Sequence, residues 1–250
     1  SAASDVYKRQ EQTHRLCMPQ MREVSFLKDA IEITIGAGDV HKTLETLASV
    51  WQILSDKGAS RHSLLINLGG GMVTDLGGFA AATFKRGFAY INVPTTLLAM
   101  VDASVGGKTG INFNGLKNEV GVFAPADSVL IETEFLRSLD AQNFFSGYAE
   151  MLKHGLISNE AHWAELLNFN TDLIDYKYLK KLVGESVQVK ENIVEQDPFE
   201  HGIRKALNLG HTVGHAFESL ALAENRPVLH GYAVAWGLSL IHISEPTRPY

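Results

Sequence analysis

Three histidines and one glutamate in the second half of the chain have the residue types and spacing of a metal centre. In ALNLGHTVGHAFES, His211 and His215 stand four apart, so on a helix they share a face, as two ligands or as one ligand and its neighbour. Thr212 occupies the place where a zincin motif carries its glutamate base, so this is not that motif. His230 follows a loop later in VLHGY. Glu150 in SGYAEMLKHGLI lies on an otherwise apolar helical pattern. A carboxylate there costs desolvation energy unless a cation or donor meets it, so the expected partner is a metal, Lys153 or His154.

The first half offers chemistry of another kind. LLINLGGGMVTDLGGFAAATFKRG reads as a buried strand, a triple-glycine turn at Gly69, Gly70 and Gly71, and a helix whose Gly77 and Gly78 permit close packing. Such a turn aims backbone N–H groups and a helix N-terminus at an anion. Thr74 stands where the usual dinucleotide fingerprint has its third glycine, and a tight structural turn without a ligand is the competing reading. Further on, PTTLLAMVDASVGGKTGINFNGLKN tempts a phosphate-loop assignment at Gly107, Lys108 and Thr109. The spacing fails, because Asp102 occupies the position of the required glycine. Asp102, Lys108, Lys117 and Asn118 nevertheless read as polar groups on a glycine-rich loop, suited to a small polyhydroxylated anion or simply to solvent.

The elements that must position these groups fall into two kinds. Up to about residue 132, short β-branched runs alternate with helical patterns: strands at 31–35, 64–68, 89–93 and 122–132, helices at 43–54 and 73–84. That alternation predicts an α/β layered domain with a mainly parallel sheet. After Phe135 amphipathic helical patterns take over at 143–157, 162–167, 178–194 and 202–222. The expected domains are 1–135 and 136–250. The opening SAASDVYKRQEQTH lacks an apolar period where a first strand belongs, and SEPTRPY stops an apolar helix with two prolines.

Composition bounds the partners. Twenty-two Lys and Arg against 28 Asp and Glu leave a formal charge of −6 over 250 residues, which argues against nucleic acid as partner. One cysteine, Cys17, excludes an intrachain disulfide framework and fits a reducing, cytoplasmic setting. No apolar run reaches the roughly 18 residues of a membrane span.

Taken together, Gly69-Gly-Gly with Asp75, Arg86-Gly87, PTTLLAMVDASVGGKTGIN, Gly147-Tyr-Ala-Glu-Met-Leu-Lys-His, Asn208-Leu-Gly-His-Thr-Val-Gly-His and Leu229-His-Gly resemble the 3-dehydroquinate synthase family from about His14 to about Leu240. The resemblance implies a Rossmann-like α/β N-terminal domain followed by an α-helical C-terminal domain. It also implies a lyase of the shikimate pathway, converting 3-deoxy-arabino-heptulosonate 7-phosphate to 3-dehydroquinate and phosphate. NAD and a divalent metal, Zn2+ or Co2+, would be its cofactors. By the same resemblance the metal ligands are Glu150, His211 and His230, leaving a position open for substrate. Substrate contacts fall on Asp102, Lys108, Asn118, Lys153, Lys190, Arg204, Asn208 and His215, with Arg86 reaching a partner subunit's site in a homodimer. NAD falls on Gly69, Gly70, Gly71 and Asp75, with Asp39, Lys42, Thr95, Thr96 and Lys117 beside it. In the family chemistry the metal acidifies a substrate hydroxyl, NAD oxidises that carbon, phosphate is eliminated, and the hydride returns before ring opening and aldol closure.

The match has departures. Asp39 is one methylene shorter than the family's usual Glu, and Tyr232 stands where many members have Glu after His-Gly. The aperiodic ends imply a truncated chain that lacks the family's first strand and last helices, and is therefore inactive by itself. The competing readings are another sugar-phosphate cyclase, a metal-dependent alcohol dehydrogenase of the glycerol dehydrogenase type, and an inactive fragment or scaffold.

Overall fold

A computed structural model describes residues 4–9, 30–224, 226 and 228–244, in two units, 1–139 and 140–250. Unit 1 is built on a five-stranded parallel sheet of β1 (Ser4–Arg9), β2 (Ile31–Ile35), β3 (Leu64–Gly69), β4 (Ala89–Pro94) and β7 (Ser128–Val129), in the order β2-β1-β3-β4-β7. β3 is almost wholly buried, as a central parallel strand covered on both faces must be. Helix α1 (Leu44–Asp56) starts where the Thr43 hydroxyl accepts the Thr46 N–H at 3.3 Å, and buries Leu47, Val50 and Leu54. Helix α2 (Gly71–Thr83) buries nearly every side, with Val73, Leu76 and Ala80 in the same core as Ile33, Leu65 and Tyr90. Gly77 is required there, because a Cβ would lie 2.0 Å from Asn67 Oδ1.

In this unit three expectations are corrected. The first strand is present: Ser4–Arg9 forms β1 and pairs in parallel with β2 on one edge and β3 on the other. Those two strands would otherwise face each other with unmatched backbone donors and acceptors, and the Val6-Tyr7 pair has strand propensity even without alternation. The strand expected over 122–132 shrinks to Ser128–Val129, because Pro125 has no N–H to donate and Asp127 turns the chain onto Tyr90. The glycine-rich loop after Gly107 is instead an antiparallel hairpin, β5 (Lys108–Phe113) and β6 (Leu116–Phe123). It turns on Asn114 and Gly115, both at positive φ (49° and 77°), the two-residue turn that Asn-Gly favours.

Unit 2 is helical: α3 (Ala141–Ser158), α4 (Glu160–Asn168), α5 (Tyr176–Gln196), α6 (His211–Ala223) and α7 (His230–Ser244). Asp140, Asn159 and Asp175 cap the first three, each accepting backbone N–H groups of the first turn. Tyr148 on α3 stacks on Phe144 and Phe169, and Phe169 meets Tyr178 of α5. The tyrosine's hydroxyl donates to the Leu166 carbonyl at 2.6 Å. The helix expected over 202–222 is broken into a 3-10 turn (Ile203–Asn208) and α6, because Gly210 at φ 79° turns the chain between them. Residues 10–29, which include Cys17, and 245–250 lie outside the described residues. Among the described residues no helix is long and apolar enough to cross a membrane.

Candidate functional site

In unit 2 the N-terminal residues of two helices meet the middle of a third. Gly210 reverses the chain so that α6 starts at His211. α7 starts at His230, and its next residue, Gly231, is pressed on Ser146 of α3, one turn before Glu150. Glu150 is fully buried. Its Oε1 faces His230 Nε2 at 3.7 Å and His211 Nε2 at 3.9 Å, while Oε2 accepts a hydrogen bond from Lys153, itself buried. The imidazole centroids of His211 and His230 lie 5.0 Å apart.

The protonation of the two rings follows from their neighbours. His211 Nδ1 lies 3.2 Å from the Leu209 carbonyl, which can only accept, so Nδ1 carries the hydrogen and Nε2 presents its lone pair. His230 Nδ1 lies 3.3 Å from Glu218 Oε2, nearer than its Nε2 lies to Glu150, a contact that suits a hydrogen on Nδ1 and a lone pair on Nε2. Two imidazole lone pairs and a carboxylate oxygen therefore converge, all within 4.8 Å of one another. A tetrahedral zinc with bonds of about 2.0–2.2 Å holds its ligand atoms about 3.3–3.6 Å apart, so both imidazoles, at 3.7 and 3.9 Å from Glu150 Oε1, must close in on the carboxylate to bind the ion. The positive ends of α6 and α7 add to the attraction for the buried carboxylate.

The other residues singled out in this unit are placed differently. His215 is exposed, its ring 5.3 Å from that of His211, and its Nε2 is 4.0 Å from Glu218 Oε2. Lys190 is buried on α5. Arg204 is buried and donates to the Pro198 carbonyl, while the Asn208 amide donates to Glu200. Glu218, nearly inaccessible and shared between two imidazoles, is the residue missed from the sequence. The signal that exposed Glu150, a carboxylate on an apolar helix, is present again in HAFES.

In unit 1 the glycine turn and the β4 end lie side by side at the carboxyl edge of the sheet, where open α/β sheets bind ligands. Gly69 pairs with Pro94, and the Thr95 N–H donates to the Gly69 carbonyl at 2.9 Å. The Thr96 hydroxyl caps the following turn on Ala99, and both threonines are buried. Gly70, the residue before α2, has no side chain with which to cap the first-turn N–H groups. A Cβ on Gly71 would lie 3.0 Å from that of Ala103. Around this turn Lys42, buried, binds Asp75 of α2 and Asn118 of β6. Asp39 sits 3.4 Å from Lys117 and accepts from the Asn112 amide at 3.0 Å. Asn118, assigned to the substrate, thus touches Lys42, assigned to the cofactor, and Asn112, not singled out from the sequence, braces both Asp39 and the Asn118 backbone. Arg86 is exposed at φ 70°, Lys108 is exposed at the start of β5, and Asp102 is half-buried in a π-helical turn, Ala99–Ala103.

Comparison with known proteins decides the family. The model of the 3-dehydroquinate synthase N-terminal domain matches residues 32–146, and that of the C-terminal domain matches 147–245. The chain belongs to the 3-dehydroquinate synthase family. It is 59% identical over 226 residues to the 3-dehydroquinate synthase of Parabacteroides distasonis, covering 90% of this chain and 64% of that protein. With the Prochlorococcus marinus enzyme it shares 42% over 210 residues, 82% and 57% of the two chains. The chain thus spans less than two thirds of the length of these relatives. Among solved structures, 2-epi-5-epi-valiolone synthase of Streptomyces hygroscopicus, with NAD+ and Zn2+ bound, superposes with a TM-score of 0.85 at 29% identity over 96% of this chain and 68% of that one. A 2-deoxy-scyllo-inosose synthase complexed with carbaglucose-6-phosphate, NAD+ and Co2+ gives 0.83 at 27%, over 95% and 66%. The glycerol dehydrogenase of Schizosaccharomyces pombe, at 14% identity, TM-score 0.64, and 98% and 66% coverage, shares the fold.

Tyr232 stands two residues after His230, whose Nδ1 lies 3.3 Å from Glu218 of α6. Asp39, shorter than the family's usual Glu, is held by Lys117 and Asn112.

Proposed function

We propose that this chain carries the metal and cofactor residues of a 3-dehydroquinate synthase, acting on 3-deoxy-arabino-heptulosonate 7-phosphate in the cytoplasm. The observation that carries the proposal is the convergence of His211 Nε2 and His230 Nε2, both half-buried, on the buried Glu150 Oε1. Bound there, Zn2+ or Co2+ would polarise a substrate hydroxyl, and NAD would take and return a hydride at that carbon. The chain's own part is placement. Gly69, Gly70 and Gly71 admit the pyrophosphate to the N-terminus of α2, and Asp39, Lys42, Asp75, Thr95, Thr96 and Lys117 surround the nucleotide. Asp102, Lys108, Asn118, Lys153, Lys190, Arg204, Asn208 and His215 hold the phosphate, carboxylate and hydroxyls of the phosphorylated sugar acid. Lys153 pairs with Glu150 Oε2, so that Oε1 is left directed at the two imidazoles.

Arg86 supports a homodimer in which it serves the partner's site: it is exposed and held at positive φ by the turn into Gly87. Activity is tested by phosphate release from the heptulosonate phosphate by the intact gene product with NAD and zinc. Steady release without net NADH supports the proposal; a stoichiometric NADH rise with a polyol, and no phosphate release, would favour the glycerol dehydrogenase reading.

A further inference from the structure

We propose that Glu218 is a positioning residue of the metal centre, fixing His230 in the tautomer and orientation that direct Nε2 at Glu150. Glu218 lies on α6 two turns after His211 and is almost inaccessible to solvent. A buried carboxylate is costly without polar partners, and this one has its Oε2 3.3 Å from His230 Nδ1 and 4.0 Å from His215 Nε2. His230 in turn has a carboxylate on each side: Glu218 at Nδ1 and Glu150, 3.7 Å away, at Nε2. With a metal held by Nε2, that nitrogen's lone pair is committed to the ion and the ring's one hydrogen is on Nδ1, where a Glu218 oxygen lies 3.3 Å away to accept it. A carboxylate behind a ligating imidazole also raises its basicity and restricts its rotation. His211 receives the weaker version of the same support from the Leu209 carbonyl. Because α6 supplies both His211 and Glu218, one rigid helix sets the first imidazole and the brace of the second.

The inference rests on the metal reading above, and its test separates the two. Zinc affinity of the intact gene product is measured by competition with a chromophoric chelator, and the Co2+-substituted protein is followed by its visible absorption. Glu218→Ala should weaken zinc binding by about 10- to 100-fold and change the Co2+ spectrum. Glu218→Gln, which retains an acceptor oxygen of the same shape but no charge, should fall between Glu218→Ala and the unmodified protein. It carries the test if the alanine variant does not fold. Zinc affinity and Co2+ spectrum unchanged in a folded Glu218 variant would overturn the positioning role while leaving the metal centre standing. Failure of the unmodified protein to bind zinc would overturn the metal centre itself. If Glu150→Ala keeps one equivalent of metal and Glu218→Ala loses it entirely, the ion sits between His215, Glu218 and His230, and Glu218 is a ligand rather than a brace.

Discussion

Gly231 donates its backbone N–H to the Ser146 hydroxyl at 3.0 Å, joining residues 85 apart in sequence, and leaves no room for a side chain: a Cβ there would lie 1.8 Å from the Ser146 carbonyl oxygen. The contact seats the start of α7 on α3, so that His230 faces Glu150 one helical turn further along. Gly231→Ala must push the helices apart. We expect a loss of about 1–3 kcal/mol in urea unfolding, as for other overpacked sites, together with weaker zinc binding. Unchanged zinc affinity would show that the register of α7 on α3 does not position His230.

Lys153 and Glu150 form a buried ion pair whose carboxylate is also the expected metal ligand. Removing one partner of such a pair leaves an uncompensated charge, at a cost of about 3–5 kcal/mol. Lys153→Met should therefore destabilise the metal-free protein strongly, yet still bind zinc, because the ion itself supplies positive charge to Glu150. Thermal melting with and without zinc checks this: the metal-induced rise should be larger in the variant than in the unmodified protein.

Gly70 has φ −78° and ψ −172°, a conformation open to any residue, so Gly70→Val introduces a side chain without backbone strain. If the turn admits the pyrophosphate of NAD, the isopropyl group occupies its path. Calorimetry should show at least about a tenfold weaker affinity, ~1.4 kcal/mol, with little change in melting temperature. Equal affinity would reduce the glycine turn to a packing feature of β3 and α2.

Glu150 is legible in the sequence because it interrupts an apolar helix, and His211 because it stands four residues from His215; the set of Glu150, His211 and His230 comes from the family resemblance, and the helix starts at His211 and His230 come from the fold. Glu218 breaks the same pattern but is hidden, since HAFES reads as an ordinary helix face until α7 packs His230 onto it. The hairpin of β5 and β6 carries a plain Asn114-Gly115 signal, overshadowed by the lysine and glycines that suggest a phosphate loop. β1 is illegible for a different reason. A strand inside a parallel sheet need not alternate, and its place is determined by the edges of β2 and β3, which lie distant in sequence. The cluster of Lys42, Asp75 and Asn118 likewise arises from three elements that only the fold brings together.

Asp140 caps the helix that carries Glu150. Its Oδ1 accepts the Asn143 N–H at 2.9 Å and its Oδ2 accepts from the Asn143 amide at 2.7 Å. Burial alone would raise its pKa, but these hydrogen bonds to the ionised form outweigh it and hold the carboxyl below the ordinary aspartate value. A folded-state pKa below the unfolded one means that the cap's charge contributes fully above the unfolded value, about 3.9, and is lost as the pH falls through the folded value. Asp140→Ala should cost about 0.5–2 kcal/mol at pH 7, and Asp140→Asn, an equally good cap that does not titrate, much less. Urea unfolding at pH 7 and at pH 3 should therefore show the stability gap between the unmodified protein and Asp140→Ala narrowing in acid. The gap between Asp140→Asn and Asp140→Ala should stay constant. A gap to the alanine variant that is unchanged at pH 3 would mean that the Asp140 carboxylate, as a charge, does not hold the start of α3.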